Sequence, residues 1–352
     1  MNRPAAAQGI GEAVDARLER FFATERQRWH TVDTDLVPPL DALRDYAMAG
    51  GKRLRPAFCF WAFVGAGGLS DDPAVVDAGA ALEMLHTAAL VHDDIIDRSD
   101  RRHGADTVHV RFSTLHGRRG WSGDGARFGE GAAILLGDLA LVYSSRLMAG
   151  APQAAISVFE EMRVEVNVGQ YLDVLGTAEG MPADGTGGAD RARRICRYKT
   201  AKYTIERPLH IGAALADPDR WSSLAAPLSE FGLPLGEAFQ LKDDLLGVFG
   251  DEAVTGKPVG DDLREGKPTL LAGLAAARHP GFAERFGSPD LSPDDVADLQ
   301  KIIESTGARA EVEEAVARLI EKSEAALAAL PLQPEALEAL SELARFVAGR
   351  DR

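Results

Sequence analysis

The chain is poor in cysteine, and its two thiols follow no pattern typical of a disulfide or a metal site. Cys59 and Cys196 lie far apart among 352 residues, in apolar or mixed surroundings. Zinc sites and disulfide frameworks need several cysteines at short, regular spacings. The composition therefore favours a reducing compartment, and we expect a cytoplasmic protein.

Excess positive charge and long apolar runs are also missing. The net charge is -15 and the pI is near 5.0, which argues against a nucleic-acid partner. A membrane span needs roughly 18 apolar residues, whereas the best candidate run, 132–143, is interrupted by Gly137 and Asp138. The N-terminal segment lacks the apolar core of a signal peptide. We expect no membrane span.

The alternation typical of β-strands is absent, while apolar residues recur at helical spacing along most of the chain. With 45% hydrophobic residues, the chain can bury a large core. We therefore predict one all-α domain over residues 1–352, a bundle of about ten or more helices around a central cavity. The glycine-rich stretch from Gly117 to Gly131 is interpreted as a loop. From Ser292 onward, a Ser-Pro start and amphipathic periodicity indicate packing helices without a site.

Carboxylates cluster at the end of a helix predicted from about Pro73 to Arg98. Asp93 and Asp97 lie one turn apart at roughly 100° per residue, and Asp94 lies beside them. Such a cluster is unfavourable near the negative end of a helix unless a cation compensates it. Two or three carboxylates suit Mg²⁺, which keeps waters and shares its shell with substrate phosphates. The alternative is a solvated acidic helix end.

A second cluster favours the metal. Gln240, Asp243 and Asp244 stand at i, i+3 and i+4, so they share one helix face. If the two helices face one another, their carboxylates would hold Mg²⁺ around a diphosphate and make it a good leaving group. No Ser/His/Asp or Cys/His arrangement offers a competing chemistry.

Cations follow the flexible glycines and the acidic turns. Lys52, Arg53 and Arg55 form a phosphate site or, alternatively, complement a helix end. The segment 100–104 carries further positive charge, which could pair with the aspartates or hold a ligand. Lys199 lies beside a hydroxyl, an arrangement equally typical of a surface helix face.

Several motifs together resemble the head-to-tail trans-isoprenyl diphosphate synthases, the polyprenyl synthetase family. They are GGKRLRP (50–56), LHTAALVHDDIID (85–97) with the RHG after it, GQYLD (169–173), YKT (198–200), FQLKDD (239–244) and GKPVGDDLREGK (256–267). The resemblance covers nearly the whole chain in the right order. It implies an isoprenoid-synthase fold and a magnesium-dependent condensation of isopentenyl diphosphate with an allylic diphosphate. The expected product is an all-trans polyprenyl diphosphate.

The resemblance also implies roles for individual residues, carried over by motif position. Asp93, Asp94, Asp97, Asp243 and Asp244 match the metal ligands, with three Mg²⁺ ions when diphosphate is bound. Lys52, Arg55 and His86 match the isopentenyl diphosphate site. Arg102, Lys199, Thr200, Gln240 and Lys257 match the allylic diphosphate site, with Lys267 a nearby lysine and Lys199 also counted with the catalytic aspartates.

Two positions depart from the family pattern. Gly247 stands where the second motif has its third aspartate, and Asp251 is a candidate substitute. His103 stands in the substrate-binding segment where an arginine is usual, and it is a weaker cation because the unperturbed pKa of histidine is near 6.5. Binding of isopentenyl diphosphate depends on this second position.

The residues before the first motif bear on product length. Family members with short products tend to carry a bulky aromatic there, whereas this chain has Ala88 and Ala89. We therefore expect geranylgeranyl diphosphate or a longer product, and expect Ala88→Phe to shorten it.

The family also implies a homodimer. Two alternatives stay open: a class I terpene cyclase, and a non-catalytic partner subunit of a heteromeric synthase. The paired lysines and the GGKRLRP segment speak against the first. The intact aspartates speak against the second, while Gly247 and His103 keep it open.

Overall fold

The protein is described here by a computed structural model, which covers residues 3–102, 104–180, 187–250, 260–288 and 290–349. The all-α prediction is confirmed. The helices up to residue 148 are α1 (Ala5–His30), a 3₁₀ turn (Thr34–Leu36), α2 (Val37–Met48), α3 (Leu54–Gly65), α4 (Pro73–Ile96), α5 (Val108–Arg119) and α6 (Gly125–Met148). After them come α7 (Gln153–Glu179), α8 (Gly188–Ile195), a π-helix (Cys196–Glu206), α9 (Arg207–Ala216) and α10 (Trp221–Phe249). Shorter and C-terminal helices follow at Asp261–Glu265, Leu270–Arg278, Pro280–Ala283, Pro293–Ser305, Ala308–Leu327 and Pro334–Ala348.

The chain forms two compact units. The first comprises Met1–Ile156 and Ile211–Pro218, and the second comprises Ser157–His210 and Asp219–Arg352. Each has a buried apolar core of its own and is described separately below. The single-domain organisation and its central cavity stay predictions.

The first unit is built on α4, against which α1, α3 and α6 pack. Leu82 and Leu85 on α4 are fully buried in this core. Gly79 allows the close packing, because a Cβ there would lie 2.8 Å from Val14 Cγ2 and 3.3 Å from Pro56 Cβ. The start of α4 is as predicted: the Asp72 side chain accepts from the Ala74 N–H at 2.9 Å, directly before Pro73.

The loop interpretation of 117–131 is wrong. Helix α5 runs to Arg119 and α6 begins at Gly125, with Asp124 as its N-cap. Gly129 serves helix packing, since a Cβ there would lie 2.2 Å from the His109 carbonyl oxygen on α5. Glycines that allow two helices to approach look like loop glycines in a sequence.

A short antiparallel hairpin, which the sequence reading did not predict, follows α4. Arg101–Arg102 pairs with Ala105–Asp106, with Arg101 opposite Asp106. Gly104 has a φ of 80°, which suits the tight turn.

Helices α4 and α6 are long and apolar enough to cross a membrane by length and composition alone. Buried core helices of globular proteins meet the same criterion, and 67% of the apolar window of α4 is buried. The expectation of no membrane span therefore stays a prediction.

In the second unit, α10 packs against the π-helix and the Ala308–Leu327 helix. The predicted start at Ser292 is confirmed, because Ser292 and Asp295 form a reciprocal capping box. The next helix begins after Gly307, which caps it at a φ of 72°.

Two glycines hold the π-helix at close range. A Cβ on Gly169 of α7 would lie 2.3 Å from the Lys199 backbone nitrogen. A Cβ on Gly236 of α10 would lie 2.6 Å from Ala201 Cα. Both contacts involve backbone, which cannot move aside as a flexible side chain would. π-Helical turns are rare and often occur at functional sites, so this segment became a candidate for one.

Gly169→Ala is therefore expected to destabilise the protein, although alanine is the better helix former. Overpacking of this kind typically costs about 1–3 kcal/mol. The matched control is Gly9→Ala, a helical position with no atoms within 4 Å of the added Cβ. Thermal unfolding should show a lower melting temperature for Gly169→Ala and an equal or higher one for Gly9→Ala. Equal melting temperatures for both variants would contradict the close approach.

Candidate active site

One face of α4 carries the polar residues of the first motif. His86, Ala89, Asp93 and Asp97 are partly exposed, at successive spacings of three and four residues. Ala88, in contrast, is fully buried. The stripe therefore combines one imidazole, one small residue and two carboxylates one turn apart.

Asp94 is withdrawn from this stripe. Its residue surface is 1% exposed, and its carboxylate accepts hydrogen bonds from the Tyr46 hydroxyl and, at 2.8 Å, from Arg102 Nε. Burial raises the pKa of the Asp94 carboxyl above its usual value, against the opposing effects of Arg102 and Tyr46. The positive segment after α4 was expected either to pair with the aspartates or to hold a ligand. In the structure Arg102 pairs with Asp94.

The end of α4 brings Arg102 back to Asp94. The Ser99 N–H donates to the Asp94 carbonyl at 2.9 Å, and the Arg98 N–H donates to Ile95 at 3.3 Å. This is a Schellman motif, and Arg98 takes the left-handed position at a φ of 53° where glycine is usual. The hairpin that follows then fixes Arg102, whose guanidinium also lies 3.9 Å from Asp93.

The cationic segment before α3 divides by role. Arg53 is 4% exposed, and its guanidinium binds Glu83 on α4, Asp15 on α1 and the Ala47 carbonyl oxygen. This side chain is a structural anchor rather than part of a phosphate site. Because Glu83 lies three residues before His86, the anchor holds the segment of Lys52 and Arg55 against the same helix.

In the second unit, α10 repeats the division between exposed and buried carboxylates. Asp243 is exposed, whereas Asp244 is buried and accepts a hydrogen bond from Gln240 Nε2 at 2.7 Å. Burial raises the pKa of Asp244 to about 8; Gln240 opposes this rise, and the carboxylates of Asp262 and Asp243 add to it. The three carboxylates therefore lie close enough to influence one another.

The π-helix carries Lys199 and Thr200. The Lys199 ammonium donates to Asp173 on α7, one turn after Gly169. Gly169 and Asp173 both belong to the GQYLD motif, which thus supplies the close approach and the partner of the lysine. Lys267 lies 3.2 Å from Asp262 and 2.8 Å from Glu265.

Sequence reasoning missed three residues of this arrangement. Tyr46 lies on α2 outside the quoted motifs, whereas Asp173 and Asp262 belong to the GQYLD and GKPVGDDLREGK motifs without an assigned role. Tyr46 and Asp173 bind partners 48 and 26 residues away, and Asp262 contacts Gly247 on a different helix, so no local pattern identified them. His103, Lys257 and Asp251 lie outside the described residues, and their roles stay predictions.

Each cluster has oxygen donors that suit a divalent magnesium-type ion. In the first unit Asp93 and Asp97 are partly exposed, and in the second unit Asp243 is exposed. Hard cations prefer such carboxylate ligands. Within the described residues, no group of three or more acidic, histidine or cysteine side chains is placed to hold a metal ion by itself. An ion that shares its shell with water and phosphate oxygens does not need one.

Known proteins agree with this reading. The Polyprenyl synthetase family model matches residues 37–306. Geranylfarnesyl diphosphate synthase of Aeropyrum pernix is 32% identical over 314 residues, which cover 86% of this chain and 91% of that protein. Octaprenyl diphosphate synthase of Escherichia coli (strain K12) is 33% identical over 310 residues, covering 86% and 87%.

A solved structure is similar over almost the full length. Geranylgeranyl pyrophosphate synthase from Corynebacterium glutamicum, complexed with isoprenyl diphosphate and magnesium, gives a TM-score of 0.89 at 36% identity and covers 98% of this chain and 99% of that one. The family match spans well over half of the chain, and the relatives align over most of their own lengths. The chain therefore belongs to the polyprenyl synthetase family.

Proposed function

We propose that this protein is a magnesium-dependent head-to-tail prenyltransferase that condenses isopentenyl diphosphate with an allylic diphosphate to make an all-trans polyprenyl diphosphate. The observation that carries the proposal is the division of labour on α4. Asp93 and Asp97 are accessible one turn apart, while buried Asp94 holds Arg102 beside them. That arrangement combines hard oxygen ligands with a fixed cation, as recognition of a metal–diphosphate complex requires.

Within this proposal the aspartates have two roles. Asp93 and Asp97 on α4, and Asp243 on α10, coordinate cations directly at their own clusters, whereas Asp94 positions Arg102 and Asp244 is held by Gln240. Bound Mg²⁺, three ions in the family pattern, would neutralise the diphosphate and improve it as a leaving group. The chain's own cations complete the charge balance around it.

The diphosphates are proposed to bind at the motif positions. Lys52, Arg55 and His86 bind isopentenyl diphosphate. The buried Arg53 holds the segment of Lys52 and Arg55 in place, and helix α4 positions the imidazole of His86. Arg102, Lys199, Thr200 and Gln240 take the allylic diphosphate, together with Lys257 and Lys267. His103 is assigned to the binding of isopentenyl diphosphate. A phosphate arriving at Lys199 or Lys267 would compete with the carboxylates that those lysines now contact.

The test is turnover by the purified protein with Mg²⁺, isopentenyl diphosphate and each allylic primer in turn. We expect a ladder of prenyl diphosphates that ends at one length by mass spectrometry. Asp93→Asn should lower kcat on the order of 100-fold, because it removes a group that stabilises developing charge. Asp298→Asn, at an exposed carboxylate on the Pro293–Ser305 helix outside all of the motifs, should leave kcat unchanged.

The outcomes separate the alternatives. A hydrocarbon or alcohol product with release of diphosphate would indicate a terpene cyclase. No turnover by the chain alone would support a non-catalytic partner subunit and contradict the proposal.

We propose that product length is limited beside Ala89 rather than Ala88. Ala89 lies one turn before Asp93 on the partly exposed stripe, where a prenyl tail attached to a metal-bound diphosphate would extend. Ala88 has no exposed surface and packs in the interior of the first unit. Small residues at these positions support geranylgeranyl diphosphate or a longer product.

Ala89→Phe should therefore shorten the product with little loss of stability. Ala88→Phe, the variant favoured by sequence alone, should overpack the core at a cost of about 1–3 kcal/mol. Product length by mass spectrometry and melting temperature distinguish the two. A shorter product from Ala88→Phe without destabilisation, and none from Ala89→Phe, would reverse this assignment.

The protein is further proposed to be a cytoplasmic homodimer that pairs through α6. Leu135 and Val142, two turns apart on this helix, are 69% and 55% exposed, and Ile134 beside them is 44% exposed. An apolar row of this kind on a helix surface marks an interaction site. A second copy of the chain is the partner that the family implies.

Leu135→Lys combined with Val142→Lys should convert a dimer to a monomer in analytical ultracentrifugation. Leu69→Lys, at an equally exposed apolar residue between α3 and α4, is the matched control and should remain dimeric. A monomeric wild-type protein, or a double variant that still sediments as a dimer, would contradict pairing through this face.

A further inference from the structure

Gly247 marks a close contact at the second acidic cluster. It lies on α10 four residues after Asp243, one turn further along a similar face. A Cβ built on Gly247 would lie 2.0 Å from Oδ2 of Asp262 and 2.6 Å from its Cγ. No side chain fits there while Asp262 keeps its position, so the Asp262 carboxylate occupies the space in which a residue at 247 would project.

We propose that Asp262 supplies the third carboxylate of the second acidic cluster, and that position 247 is glycine because this carboxylate occupies its side-chain volume. The inference rests on the proposed function, since it assigns Asp262 to the cation site of that same reaction. It also changes the reading of the sequence, in which Gly247 looked like a missing ligand. The acidic group is present but comes from a later segment of the chain.

The segment that carries Asp262 is firmly positioned. Asp262 lies in the Asp261–Glu265 helix. The residue after it, Leu263, is 1% exposed and packs in the core of the second unit. The Gly287 N–H donates to the Leu263 carbonyl at 3.0 Å. Gly260 and Gly266 bound the helix at φ values of 74° and 69°, a conformation that glycine adopts without strain.

The Asp262 carboxylate has a different neighbour on each oxygen. Oδ2 lies against Gly247, while Oδ1 lies 3.2 Å from Lys267 Nζ. Its side chain is 14% exposed, so it is largely shielded from solvent yet not sealed off. Oδ2 is thus directed towards α10, the helix of Asp243, and Oδ1 is directed towards the Lys267 ammonium.

Charge repulsion is the consequence of this proximity. The Asp262 carboxylate lies against Gly247, on the same helix as Asp243 and Asp244. Three carboxylates gathered at one helix end repel one another unless a cation intervenes. Lys267 offsets part of this charge, and a bound divalent ion would offset more.

A purely structural role is the competing explanation, in which Asp262 only holds Lys267. Glu265 provides the comparison, because its carboxylate lies 2.8 Å from the same ammonium. Replacing either Asp262 or Glu265 would disturb Lys267, but only the replacement of Asp262 would weaken binding of the divalent metal ion.

The experiment compares Asp262→Asn, which preserves size, with Glu265→Gln. One readout is the Mg²⁺ concentration for half-maximal turnover; the other is the rise in melting temperature produced by Mg²⁺ with inorganic diphosphate. Asp262→Asn should raise the required Mg²⁺ concentration about tenfold and reduce the thermal shift. Glu265→Gln should leave the Mg²⁺ concentration for half-maximal turnover at the wild-type value, and should change the diphosphate-dependent thermal shift only through Lys267.

A relocation experiment completes the test. Gly247→Asp alone should lower the melting temperature, because its side chain collides with Asp262. Asp262→Ala alone should need more Mg²⁺. The double variant Gly247→Asp/Asp262→Ala should regain both stability and a lower Mg²⁺ requirement, since the carboxylate returns from the other side of the contact.

The results separate this inference from the proposed function. Wild-type Mg²⁺ readouts in Asp262→Asn, or a double variant no better than Asp262→Ala, would overturn the role of Asp262 while leaving the enzyme a prenyltransferase. A wild-type protein without turnover would overturn the proposed function, and the thermal shifts would still report on Asp262.

Discussion

Repulsion among the carboxylates within each acidic cluster, one at the end of α4 and one near the end of α10, is the constraint on which the arrangement of each cluster depends. Each cluster lies near the negative end of its helix, where additional negative charge is unfavourable. In both, one aspartate is buried and receives neutral or cationic donors: Tyr46 and Arg102 for Asp94, Gln240 for Asp244. The neighbouring aspartates remain accessible, so each cluster combines a fixed carboxylate with one or two that can accept a metal.

Close backbone approach does the positioning. Gly169 and Gly236 admit the π-helix that carries Lys199, and Gly247 admits the carboxylate of Asp262. At each of these positions a methyl group would collide with neighbouring backbone or with the Asp262 carboxylate. The glycines thus act through packing distance, and the polar side chains act through the positions that this distance allows.

The sequence predicted what local signals control. The start of α4 follows from Asp72 and Pro73, and the start at Ser292 from its capping box. The sequence-based prediction was wrong around Gly129, because glycine occurs both in loops and where two helices approach closely. Gly129 lies in α6, at its contact with α5. The fold class followed from helical periodicity and the family from the order of the motifs. Both can be read from the sequence without knowing any tertiary contact.

Contacts between distant segments could not be predicted in the same way. The sequence does not distinguish an Arg102 that binds a ligand from one that pairs with an aspartate. The hairpin and the Schellman motif, which bring Arg102 back to Asp94, make that distinction. The burial of Ala88 beside partly exposed Ala89 depends on how α4 is rotated in its unit. Adjacent residues with the same side chain thus acquire different proposed roles.

The most direct test of the account is a crystal structure of the protein with Mn²⁺ and inorganic diphosphate, with the ions located by anomalous scattering. The account predicts ions in direct contact with Asp93, Asp97 and Asp243, while Asp94 still binds Tyr46 and Arg102. Ions bound directly by Asp94 with Arg102 displaced, or no ion at either cluster, would contradict it.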